Sequence, residues 1–127
     1  MPAAGHVVHM PAHTYYRVGR YLDSLRTNLA AVQADEAYLA RVKATGIYPY
    51  GYYPHNIHFA LVSAQMAGDA EHMIWAAERL PGKIPDKTAA EVGWIQVILP
   101  APYFAHAQFN APALVRGLGR LSTFTNP

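Results

Sequence analysis

AHTYYRVGRYLDSLRTNLAAVQADE, residues 12–36, is the stretch on which the fold turns. From Tyr21 onward, Leu22, Leu25, Leu29 and Val32, then Tyr38, Leu39 and Val42, recur at three- and four-residue steps. Arg26, Gln33, Glu36 and Arg41 fall between them. That spacing predicts an amphipathic helix over 21–43, because a 3.6-residue turn brings such positions onto one face. Downstream, periodic stretches at 55–67 and 69–80 are parted by Gly68 and Asp69, a helix end followed by a new N-cap, so the two predict a helical hairpin. Pro54 suits a first helical turn, where its missing N–H costs nothing. Residues 46–53 read as a loop, 81–87 (PGKIPDK) as a break and 88–99 as a fifth helix, after which Pro100 and Pro102 interrupt the pattern. No alternation of the strand type competes, so the fold class is all-α with about five to six helices.

Composition agrees with a folded domain. The 127 residues are 52% hydrophobic and 14% charged, enough to bury one modest core. The net charge of +2 comes from scattered Lys and Arg with no basic stripe, which excludes nucleic acid as an expected partner. No apolar run reaches the roughly 20 residues of a membrane-spanning helix, and MPAAGHVVHMP lacks the order of a secretory signal, so a soluble chain is expected. With no cysteine there is no disulfide and no thiolate ligand or nucleophile, but the compartment stays open.

The chain also repeats itself. Laying His6 over His55 aligns His9 with His58 and Gly19 with Gly68, so H-x-x-H, nine residues and a glycine recur before a second helix. Within 12–36, Ala12 and Tyr15 stand in a first helix, Gly19 at a turn, and Tyr21, Ser24 and Ala31 follow, with AAVQADE closing the unit. On those residues the chain resembles the tetratricopeptide repeat (TPR), whose units end A-L-E-L-D-P. Asp35 matches that ending, while Glu36 replaces the proline. The second unit keeps Gly68 but has Ala70 and Met73 where an aromatic and a small residue are usual. The resemblance implies an α-solenoid of stacked antiparallel helix pairs in a single domain, with units at about 6–43 and 54–80 and a weak third pair at 88–118. The expected core includes Tyr15, Val18, Tyr21, Leu25, Leu29, Ala60, Ala64, Ile74 and Ala77, with Trp75 and Trp94.

Seven histidines are many for this length. By i,i+3 and i,i+4 spacing, His9 shares a helix face with His13, and His55 with His58. The resemblance carries the idea further, since tetratricopeptide grooves meet ligands through set positions of each first helix. Here those positions are His6, His9, His13, Tyr16 and Arg17, and then His55, His58, Val62, Gln65 and Met66. The expected ligand groove is therefore His9, His13, Tyr16, Arg17, His55, His58 and Gln65. Pro11 disturbs this placement, because a helix beginning near it leaves the direction of His6 open.

Two functions follow from such a groove. One is a non-enzymatic interaction module for a protein segment, peptide or small anionic ligand, with Arg17 as charge anchor. The other is a metal-binding or metal-dependent protein holding a divalent transition metal through His9, His13, His55 and His58, since imidazole suits such ions. Imidazoles that only hydrogen-bond and pack are the plainer alternative, as is a tyrosine-rich loop (Tyr48, Tyr50, Tyr52, Tyr53) that merely covers helix ends. No catalytic residue is expected. H-E-x-x-H is absent, with Met10, Pro11 and Ala12 between one histidine pair and Asn56 and Ile57 between the other. No nucleophile elbow or phosphate loop occurs either. Repeats without polar end caps expose apolar faces, so a homo-oligomer or a piece of a longer repeat protein is expected, with the acid-free stretch 114–124 in the contact.

Overall fold

Gly19 and Gly68 take left-handed backbone, with φ of 78° and 73°, and each closes a helix. Without a Cβ, glycine adopts this conformation at little cost, and it lets the chain turn within two or three residues. Gly68 and Asp69 donate back to the Gln65 and Ala64 carbonyls at 3.3 and 2.9 Å. Asp69 then caps the next helix by accepting from the His72 N–H at 3.0 Å.

The computed structural model describes residues 5–109, within which every regular element is helical. Six α-helices follow one another: α1 (Gly5–Arg17), α2 (Tyr21–Leu39), α3 (Tyr53–Ala67), α4 (Ala70–Arg79), α5 (Asp86–Glu91) and α6 (Ala101–Phe109). None of the described helices is long and apolar enough to cross a membrane.

Four boundaries differ from the sequence reading, the first being that α2 ends at Leu39 rather than at residue 43. Helix α1 runs straight through Pro11. Pro11 and Val7 are both exposed, so the carbonyl that loses its N–H partner meets water instead. The expected loop at 46–53 is largely a π-helical turn, Tyr48–Tyr52, that runs directly into α3. The expected fifth helix at 88–99 is broken: Val92 leaves helical backbone at φ −122° and ψ 88°, and a 3-10 segment, Gly93–Ile98, follows. Glycine at 93 has too little helix preference to bridge the two. The third pair at 88–118 extends outside the described residues, and the stretch 114–124 lies wholly outside them.

Polar contacts give the relative direction of the first three helices. From the start of α1 to its end, Gly5 meets Asp35, His9 meets Asn28 and Ala12 meets Ser24. Ser24 also meets Ser63 at 2.8 Å and Asp35 meets Asn56 at 2.8 Å, so α3 too runs against α2. Helices α1 and α3 thus point the same way, side by side.

The apolar core lies between α2, α3, α4 and the 3-10 segment, around Leu25, Val32, Ile57, Leu61, Met73, Ile95 and Ile98. Of the residues expected in it, Leu25, Ala60, Ala64 and Ala77 are buried, and Tyr15, Tyr21, Leu29 and Ile74 are partly so. Val18 is not, being 63% exposed, because it stands in the turn beyond the last residue of α1. Trp94 is 45% exposed, since Ile95 and Ile98 are the residues of the 3-10 segment that turn to the core.

Candidate metal centre

Helix α1 carries His6, His9 and His13 at i, i+3 and i+7, one face of a helix, and that face lies against α3. His55, in the first turn of α3, completes the group. Ring centroids of His9 and His55 are 4.7 Å apart, those of His9 and His13 4.5 Å, and those of His6 and His9 5.4 Å. His9 is fully buried at the centre.

The tautomer of His9 follows from its neighbour. Asn28 donates its Nδ2–H to the Ser24 carbonyl at 2.8 Å, which leaves Oδ1 facing His9 Nδ1 at 2.6 Å. Oδ1 can only accept, so Nδ1 carries the proton and Nε2 presents its lone pair. Two further imidazole nitrogens stand on that lone pair: His13 Nε2 at 2.8 Å and His55 Nε2 at 3.1 Å. An sp² nitrogen has one in-plane lone pair, so one N–H can be accepted along it and the second contact is left unmatched. A cation among the three nitrogens satisfies all of them. Around an ion with bonds of about 2.0–2.1 Å, nitrogens at tetrahedral corners lie about 3.3 Å apart, close to the two spacings that His9 makes; the set whose nitrogens all lie within 4.8 Å of one another is His6, His9 and His55.

Protonation is opposed at this site. Burial, only partly offset by the Asn28 hydrogen bond, takes His9 down to about 4, with His13 and His6 adding to the effect. Burial and then the neighbouring His9, His13, His58 and His6 take His55 to about 3. His13 is lowered as well, by burial, His6 and Arg17. At neutral pH His9, His13 and His55 are therefore uncharged imidazoles, the form that binds metal. Aromatic rings wall it in. Phe59 lies 5.0 Å from His9 and 4.5 Å from His13, and Trp94 meets His55 edge-on at 5.8 Å. Tyr52 covers His6 at 4.4 Å.

The remaining expected groove residues lie around this centre rather than in it. No hydrogen bond or ring contact joins His58 to the other imidazoles, although it is lowered by burial. Tyr16 packs on Phe59 and Tyr21 at 5.4 and 5.3 Å. Arg17 is exposed at the end of α1, and Gln65 donates to Gln108 of α6 at 2.9 Å. Aligning the two H-x-x-H motifs pairs His9 with His58, but the packed helices pair His9 with His55, one helical step earlier. Asn28 and Phe59 were not legible as site residues. Asn28 sits in the helix facing α1 and Phe59 reads as an ordinary apolar position. His6 was legible in principle, through its i,i+7 relation to His13.

Comparison of this chain with known protein families, with curated proteins and with solved structures finds no match.

Proposed function

We propose that the chain is a metal-binding helical protein that takes one divalent transition-metal ion through His9, His13 and His55. The observation that carries this reading is the His9 lone pair shared between two imidazole nitrogens, at 2.8 and 3.1 Å. Nitrogen donors without a nearby thiolate suit zinc, copper(II) or nickel(II) rather than magnesium or calcium. Asn28 orients His9 from behind, as partners of metal-bound histidines generally do. The anion or peptide groove has less support, because uncharged imidazoles offer anions no charge and Arg17, although near enough to lower His13, is exposed at the end of α1.

The same proposal extends to the architecture. Parallel α1 and α3, separated by an antiparallel α2, fit a stack of tetratricopeptide-like helix pairs, with the metal joining two successive first helices. Exposed Val7 and Met10 on α1 fit a stack end that meets another repeat or a second copy.

The test is elemental analysis and calorimetric titration of protein prepared without a histidine tag or nickel column. One equivalent of zinc or copper is expected for the wild type and for His58→Ala, and none for His9→Ala. Equal binding by wild type and His9→Ala, or no binding by either, would sink the reading.

A further inference from the structure

Metal sites divide by whether a coordination position is left open. Structural and storage sites close all four positions with protein atoms, whereas catalytic ones leave one for water or substrate. His9, His13 and His55 are three donors, so on the metal reading above everything turns on the fourth.

His6 is the group in place to supply it. It lies one turn before His9 on the same face of α1, and its ring packs between Tyr52 at 4.4 Å and His9 at 5.4 Å. Its Nδ1 is buried and has no hydrogen-bond partner. Unpartnered buried nitrogen is costly, and a ring nitrogen kept this way among other imidazoles is a donor in waiting. One ring nitrogen from each of His6, His9 and His55 lies within 4.8 Å of the others. Reaching the tetrahedral spacing of about 3.3 Å from His9 and His55 closes each of those separations by at most about 1.5 Å, within reach of side-chain rotation.

We propose that His6 closes the site, giving a four-imidazole centre with three ligands from α1 and one from α3, and no position open to an exogenous ligand. Such a centre clasps two helices and holds its ion in store rather than presenting it to a substrate. It rests on the metal reading but makes a separate claim, and cobalt(II) separates the two.

Cobalt added to the wild-type protein should bind one to one and give the intense visible bands of a tetrahedral site. Azide at millimolar concentration should leave those bands unchanged. His6→Phe keeps a ring against Tyr52 but has no nitrogen. It should still take up cobalt, at least about tenfold more weakly, with bands that shift on adding azide as the anion enters the vacated position. Helical circular dichroism checks that this variant is folded, and His6→Ala serves should the bulkier ring disturb α1. An azide-sensitive spectrum in the wild type, which needs no variant, overturns the closed site while leaving the three-histidine metal reading intact. Unchanged affinity in both His6 variants overturns it equally. Failure of the wild type to take up cobalt, zinc or copper removes the metal reading itself and the closed site with it.

Discussion

Two buried polar groups lie between the same three helices, and they differ in how completely their hydrogen bonds are matched. At one end, the fully buried Asp35 carboxylate accepts from the Gly5 N–H at 2.9 Å, the Tyr48 hydroxyl at 2.5 Å and Asn56 Nδ2 at 2.8 Å. About one turn further along α1, the His9 lone pair is contested by two imidazoles, and His6 Nδ1 has no partner. The Asp35 carboxylate itself is satisfied on every side, although Asn56 Oδ1 beside it is buried without a partner, and a carboxylate held between three donors fixes one arrangement of the backbone. The carboxylate is accordingly structural. It ties the start of α1 to α2, and Gly5 is glycine there because a Cβ would collide with the Asp35 carboxylate and the Ala31 carbonyl.

The sharpest way to break that comparison is to remove each centre in the metal-free protein. Asp35→Ala removes the acceptor of three hydrogen bonds and should cost about 3–5 kcal/mol in urea denaturation. His13→Ala, which removes a contested contact, should cost less than about 1 kcal/mol. Similar losses at the two positions would mean that both ends are structural.

Acid should separate the ends next. Below about pH 6.5 an unfolded histidine takes up a proton, while folded His9 and His55 do so only near pH 4 and 3. The unfolded chain thus binds more protons as pH falls, so this stabilisation is complete above about pH 6.5 and drains away below it. Each of the two histidines contributes a slope of up to about 1.4 kcal/mol per pH unit in that window. Denaturation midpoints measured from pH 7.5 to 4.5 should fall in the wild type and fall less steeply in His55→Phe. Equal slopes would remove the desolvated imidazoles from the account.

A finer test concerns Asn28, which touches no donor nitrogen that would bind the metal but sets the tautomer of His9. Asn28→Ala should weaken zinc binding about 10- to 100-fold while leaving one site per chain. Unchanged affinity would show that His9 needs no such partner. Smallest of all, Val18→Ala should alter stability by less than about 0.5 kcal/mol, because the side chain is 63% exposed in the turn. A loss of about 1 kcal/mol or more would mean that Val18 is covered in solution by another copy.

How much of this was written in the chain is clearest from particular residues. Leucines 22, 25 and 29 marked α2, Gly68 and Asp69 marked the α3–α4 turn, and His9 with His13 shared a face, because each depends on spacing within a few residues. Local spacing also misled at Pro11, where exposure made a proline tolerable, and at 88–99, where one glycine divided an apolar run. Proximity across the fold was another matter. That His9 meets His55 rather than His58 depends on how far α1 and α3 slide along each other. That slide is set by Asp35 against Gly5 and Asn56 and by Ser24 against Ser63, contacts between residues 21 to 39 positions apart. Sequence periodicity specifies which side of a helix a residue occupies. It does not specify the height at which two helices meet, and the convergence of three imidazole nitrogens depends on that height.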